Sequence, residues 1–270
     1  MPSEKGKTVV VKDIAVAEEI AVVKEIAVEP TKEAYPGKAS GFDKESWKPK
    51  TELGRKVKNG EITHIDQILD AGLRILEPEI VDILLPEMQS EMLMIGQAKG
   101  KFGGGQRRSF RQTQKKTSEG NKPSFATLIV IGNNNGYVGL GYGKSRETVP
   151  AREKAMRNAK LNVIKVSRGA GSWEDYGKSA NSIPFKTSGK CSSVEITLMP
   201  APKGTGLIIA SECSKLLTAA GIKDVWSQTE GQTRTTINLV YATFKALRKL
   251  NQMKLQQTQI DELGIIVGAK

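Results

Sequence analysis

Apolar positions along this 270-residue chain change their spacing from one region to the next, and each spacing predicts a different element. Near the start, Ile-Ala-Val recurs at 14–16, 20–22 and 26–28, a step of six residues. On a helix that step turns each isoleucine by about 240°, scattering the three around the wheel. On a strand, Ile14, Val16, Ile20, Val22, Ile26 and Val28 fall on one side. Such low-complexity repetition predicts an extension over 1–45 that is disordered alone and orders against a partner. From 46 to 95 the pattern turns helical. Thr63 with Asp66 three residues on reads as a capping-box-like start. Pro78 opens another helix with Ile80, Ile83 and Leu84 on its apolar face, and Pro86 ends it.

The centre of the chain reads as β-β-α-β. "FATLIVIG" (125–132) is an apolar strand, Asn135-Gly136 is a preferred tight-turn pair, and "YVGLGYG" (137–143) returns. Gly139, Gly141 and Gly143 alternate, so one face of the returning strand is bare and something can lie close against it. The next helix has Pro150 in its first turn and a narrow stripe of Ala151, Ala155, Met156, Ala159 and Val163. Lys154, Arg157 and Lys160 lie on its far side, with Arg152 at the stripe's edge. "VIKV" (163–166) is a third strand, and any earlier strand is hidden in the stretch before 125.

A second strand-and-helix set follows. "SSVEITLMP" (192–200) alternates with Val194, Ile196 and Leu198 on one side. "APKGTG" is a turn, "LIIA" a short strand, and "ECSKLLTAAG" a helix ending at Gly221. A last helix from about Thr236 carries Leu239, Tyr241, Phe244, Leu247 and Leu250 on one broad face. Cys191 begins a strand and Cys213 packs within a helix, so neither needs a chemical role. The fold class is α+β.

Charge then changes the picture. The chain carries a net +12, but residues 99–168 hold sixteen Lys and Arg against three acids, while 1–98 are net acidic. A positive block of that density implies a polyanionic partner. No apolar run approaches the roughly 20 residues that span a bilayer, and Met1-Pro2-Ser3 begins no signal peptide, so no membrane partner is expected. Residues 99–122 contain almost nothing that could form a core. There Gly103, Gly104 and Gly105 let the backbone bend, and Lys99, Lys101, Arg107, Arg108, Arg111, Lys115, Lys116 and Lys122 surround them, with Phe102 and Phe110 interleaved. These are expected RNA or DNA contacts, above all Arg107, Arg108, Lys115 and Lys116. Lys144, Arg146, Arg152, Arg157, Lys160, Arg168 and Lys203 extend the expected basic surface.

The glycine-rich stretch is a nucleotide decoy. A P-loop needs glycine five positions before Gly143-Lys144-Ser145, where Val138 stands. The dinucleotide spacing also fails, and a hairpin is not a strand-to-helix phosphate loop. Cys191, Cys213 and His64 are too few for a structural zinc, and any acid–base pair would have to use His64 at a helix start. No catalytic group, metal or cofactor is expected. What remains is a protein that binds RNA or DNA without chemistry of its own.

Three long stretches, "FATLIVIGNNNGYVGLGYGKSRETVPAREKAMRNAKLNVIKVSRG", "LMPAPKGTGLIIA" and "AGIKDVWSQTEGQTRTTINLVYATFKAL", resemble the small-subunit ribosomal protein five family. The match covers roughly 50–250 with the motifs in order, and "LGRKVKNGEITHIDQILDAGLRILEPEIVDILLP", "GSWED" and "TRTTINL" are similar to its archaeal branch. The resemblance implies a helical preface (46–95), a double-stranded-RNA-binding-like domain with an antiparallel sheet and a helix (96–168), and a linker (169–182). A β-α-β-type domain with a left-handed crossover (183–252) and a tail (253–270) complete it. It also implies a non-enzymatic constituent of the cytoplasmic small ribosomal subunit. Such a protein binds ribosomal RNA near the decoding region and helps form the messenger-RNA entry channel in support of translational accuracy. Small-subunit proteins four and eight would be its neighbours, and the Gly103–Lys122 segment would reach into RNA. The period-six extension has no counterpart in that family.

Overall fold

Three short helices open the part of the chain described by a computed structural model, which comprises residues 47–98, 107–174 and 179–268. The extension over 1–45, with Lys99, Lys101, Gly103, Gly104 and Gly105, lies outside the described residues. Helix α1 (Glu52–Asn59) starts where the Thr51 hydroxyl accepts the Gly54 N–H at 3.0 Å. The capping box expected at Thr63 does not form. Helix α2 (Asp66–Asp70) begins at Ile65 without a side-chain cap, and Asp66 turns instead to Lys165 at 3.2 Å. Helix α3 (Glu79–Leu84) follows Pro78 and stops before Pro86. Buried Glu77 accepts the N–H groups of Lys50 and Thr51 at 2.8 and 2.5 Å, fixing the start of this preface.

The helical pattern gives way sooner than expected, because Gln89–Met92 is strand β1. The basic stretch holds the hidden strand, β2 (Arg111–Thr117), which turns into the 13-residue β3 (Gly120–Gly132). Both pair antiparallel with β3, β2 along its first half and β1 along its last four residues. On the other edge come β4 (Tyr137–Ser145) and β5 (Val163–Lys165), also antiparallel. The β3–β4 turn differs from the predicted Asn-Gly pair. Positive φ falls on Asn134 (56°) and Gly136 (95°). The Asn133 side chain accepts the N–H groups of Asn135 and Tyr137 at 2.9 and 3.1 Å, so a side-chain turn shapes the hairpin.

Helix α4 (Thr148–Leu161) lies on the bare face of β4. A Cβ added at Gly139, Gly141 or Gly143 would sit 2.4, 2.1 or 2.1 Å from the carbonyl oxygens of Ala159, Ala155 and Ala151 respectively. The alanine stripe and the glycine ladder are therefore two halves of one close contact. On this side Ile129 and Ile131 join Ala155, Ala159 and the preface residues Val57, Ile68, Ile80 and Val81 in one apolar cluster.

The opposite face of β3 and β4 belongs to a second cluster. Leu128, Val130, Val138 and Leu140 pack there with residues of the following elements. After the two-residue β6 (Ser167–Arg168) come β7 (Thr187–Cys191), β8 (Val194–Pro200), β9 (Leu207–Ile208), helix α5 (Ser211–Ala219), β10 (Val225–Glu230) and helix α6 (Thr236–Leu250). The sheet order is β7-β8-β10-β9, with β9 and β10 parallel around α5. Cys191 ends a strand rather than beginning one. Val194, Ile196 and Leu198 point inward against Leu216, Leu217, Leu239 and Leu247. The stretch after 252 is structured too: helix α7 (Gln257–Leu263) leads to β11 (Ile266–Val267), which pairs antiparallel with β6.

Candidate nucleic-acid interface

The β2–β3 ribbon brings the central cations together. Its register pairs Arg111 with Ala126, Lys115 with Lys122 and Lys116 with Asn121. Directly paired residues share a face, so Arg111, Lys115 and Lys122 stand on one side and Lys116 on the other. Lys144 also pairs with Ala126, from β4, and joins the first group. All of these side chains are exposed. Lys115 opposite Lys122 is a like-charge pair, which a sheet does not favour on its own. Glu119 in the turn reaches Lys122 at 3.0 Å, and it is the only acid paired with any cation of the ribbon among the described residues. The ribbon holds this arrangement by its own bonds, with the Thr117 hydroxyl donating to the Gly120 carbonyl at 2.8 Å.

Other expected contacts divide. Arg107, Arg108, Arg146 and Arg157 are exposed, and Arg152 is half-buried. Lys203 is exposed on a loop that Asp224 shapes by accepting the N–H groups of Gly204 and Gly206 at 3.1 and 2.8 Å. Two of the expected residues are engaged within the protein. Lys160 is half-buried and bonded to Asp82 of the preface at 2.7 Å, so its charge is met within the protein. Arg168 is only 7% exposed. Its guanidinium donates to the Asn135 side chain at 2.7 Å and the Gly268 carbonyl at 3.1 Å, and desolvation pulls its pKa below the ordinary value. It ties the hairpin turn to the chain's last strand. Lys165 is likewise drawn to the preface: burial would lower its pKa, but Asp70 and Asp66 outweigh this and raise it.

Beside the foot of β2 lies a cleft of about 620 Å³, lined among others by Met94, Arg107, Glu212, Lys215, Arg234 and Thr236. Glu212 is committed there, accepting the Met94 N–H at 2.7 Å with Lys215 at 3.7 Å. Lys215 also meets Glu91 at 3.3 Å. Arg107 donates to the Thr236 hydroxyl at 3.1 Å, and neither Arg107 nor Arg234 has an ion-pair partner among the described residues. Sequence reading did not single out Arg234. It approaches Arg107 only through folding, and no spacing signals that.

Little else offers chemistry. Among the described residues no group of three or more His, Cys, Asp and Glu could hold a metal, and no helix is long and apolar enough to cross a membrane. His64 is exposed. Burial pushes the Cys213 thiol up to about 11. The ladder of Gly139, Gly141 and Gly143 is filled by helix backbone and leaves no phosphate cradle.

Residues 109–167 match the model of the ribosomal protein S5 N-terminal domain, and residues 189–261 that of the ribosomal protein S5 C-terminal domain. The chain is 46% identical over 225 residues to the small ribosomal subunit protein uS5 of Nanoarchaeum equitans, covering 83% of this chain and 96% of that protein. It is 48% identical to the uS5 protein of Methanosphaera stadtmanae, covering 83% and 92%. With that of Methanocaldococcus jannaschii it shares 46% identity, covering 84% and 98%. The chain belongs to the ribosomal protein S5 family, a family of structural proteins and not of enzymes.

Proposed function

We propose that this chain is a structural constituent of the cytoplasmic small ribosomal subunit and binds ribosomal RNA through the β2–β3 ribbon and the basic segment before it. The observation that carries this reading is the exposed, almost uncompensated charge of Arg111, Lys115, Lys116 and Lys144 on the β2–β3 ribbon and its neighbour strand, with exposed Arg108 just before it. Phosphates relieve repulsion that the fold itself leaves standing. Recognition by shape and backbone suits A-form RNA, whose deep major groove hides its base edges. By family likeness the site lies near the decoding region and helps form the messenger-RNA entry channel, with small-subunit proteins four and eight as neighbours. By the same likeness the first sheet with α4 is a double-stranded-RNA-binding-like domain over 96–168. A linker (169–182), a β-α-β domain with a left-handed crossover (183–252) and a tail (253–270) follow, and the preface (46–95) precedes it.

The test is binding of the full chain to a 20-base-pair RNA duplex across a salt series. Each neutralised phosphate contributes roughly −0.7 to −0.9 to the slope of log K against log[salt]. Replacing Arg107, Arg108, Lys115 and Lys116 together with Ala is expected to weaken binding and flatten that slope by about 2 to 4, with the melting temperature nearly unchanged. A variant that melts early yet binds normally overturns the reading.

A further inference from the structure

Lys115 and Lys116 are neighbours in sequence, but the ribbon's register sends them to opposite faces. The face of Arg111, Lys115, Lys122 and Lys144 also contains Ala126, Leu128 and Val130, whose apolar members pack toward α5 and α6. From Lys115 to Arg111 this row runs about 13 Å along the strand, with Lys144 about 10 Å across from Arg111. It ends beside the cleft. Leu128 lies two residues beyond Ala126 on the same face, and its carbonyl accepts the Leu93 N–H at 3.0 Å. The next residue, Met94, lines the cleft, as does Arg107, four residues before Arg111.

The acids near the cleft are already engaged: Glu212 with Met94 and Lys215, Glu91 with Lys215. Arg107 is held in place by Thr236, while Arg234 is exposed. A concave site with two unpaired guanidinium groups favours an anion, and a guanidinium pair suits the bidentate geometry of phosphate. The opposite face of the ribbon has one cation, Lys116, among Gln112, Gln114, Asn121 and Phe125.

We infer that an RNA backbone crosses the ribbon on the Arg111–Lys115–Lys122–Lys144 face alone and seats a further phosphate in the cleft between Arg107 and Arg234. This rests on the RNA-binding reading above and adds to it a direction and a second anchor, whose Arg234 lies 90 to 123 residues from the track's cations in sequence.

The experiment compares the full chain with three double variants on the same RNA duplex: Arg111→Ala/Lys115→Ala for the track, Arg107→Ala/Arg234→Ala for the cleft, and Lys56→Ala/Lys154→Ala as an equal charge loss on α1 and α4. The track variant is expected to lower the salt slope by about 1.5, two phosphates' worth, the cleft variant by about 0.8, one phosphate's worth, and the third to leave it unchanged. Arg234→Ala alone, which spares the Arg107–Thr236 bond, is expected to weaken binding and to lower the slope by no more than the double cleft variant does. Lys115→Glu should weaken binding more than Lys116→Glu. If cleft variants bind like the parent while track variants weaken, the cleft is overturned and the RNA-binding reading stands. If Lys115→Glu and Lys116→Glu weaken binding equally, the one-sided track is overturned. If the parent fails to bind the duplex, the underlying reading fails instead.

Discussion

Gly141→Ala isolates the contact on which the first layer depends. An added Cβ would lie 2.1 Å from the Ala155 carbonyl oxygen and 2.2 Å from the Ala159 nitrogen, where ordinary contact begins at 3.4 Å. Both atoms are helix backbone, so no rotamer relieves the clash, and α4 must retreat by about 1.3 Å, the difference between those distances. A gap of 0.5–1 Å already forfeits about a quarter to a half of a dispersion contact. The retreat would loosen Ala155, Ala159, Ile129 and Ile131 together. Overpacking of this kind costs about 1–3 kcal/mol, and a rigid backbone obstacle puts Gly141 at the upper end, about 3 kcal/mol. For a body of this size each kcal/mol moves the melting temperature by about 2–4 °C, which predicts a fall of about 6–12 °C. Thermal unfolding followed by circular dichroism measures it. A variant that melts within 2 °C of the parent but loses RNA affinity would refute the reasoning, because the glycine would then face a ligand and not a helix.

Two further substitutions separate structural charges from interface charges. Arg168→Leu leaves the Asn135 side chain and the Gly268 carbonyl without their donor and is expected to cost about 2 kcal/mol in urea unfolding, with the RNA salt slope unchanged. A changed slope at unchanged stability would return Arg168 to the RNA surface. Glu77 is pulled up by desolvation, but the hydrogen bonds from Thr51 and Lys50 outweigh this and hold its pKa below the ordinary 4.5. A depressed carboxyl contributes stability that is fully present above the unfolded value and lost as pH falls through the folded one. The stability gap between the parent and Glu77→Gln should therefore shrink on acidification below about pH 4.5. An equal gap at pH 3 and pH 7 would contradict it.

What was legible in the sequence was whatever repeats locally. The alternation of Gly139, Gly141 and Gly143 and the step of Ala151, Ala155 and Ala159 each announce a bare stripe, and the two stripes meet. Val194, Ile196 and Leu198 declare their face in the same way. The misses are contacts between distant segments. Strand β1 exists because Gln89–Met92 finds Ile129–Gly132, and its own residues are too polar to signal a strand. Lys160 and Arg168 look like their exposed neighbours until Asp82 and the last strand fold onto them. The basic block was visible as charge, but which face each lysine takes follows from a register that counting alone does not supply. Arg234, in a turn before α6, gains meaning only beside Arg107.

The central claim is tested most directly by sedimentation. A lysate containing the full chain is run through a sucrose gradient at low and at moderate salt, and each fraction is probed for the protein. The account predicts that it travels with the small ribosomal subunit at both salts. If it stays at the top of both gradients while the subunit sediments normally, the ribosomal account is contradicted.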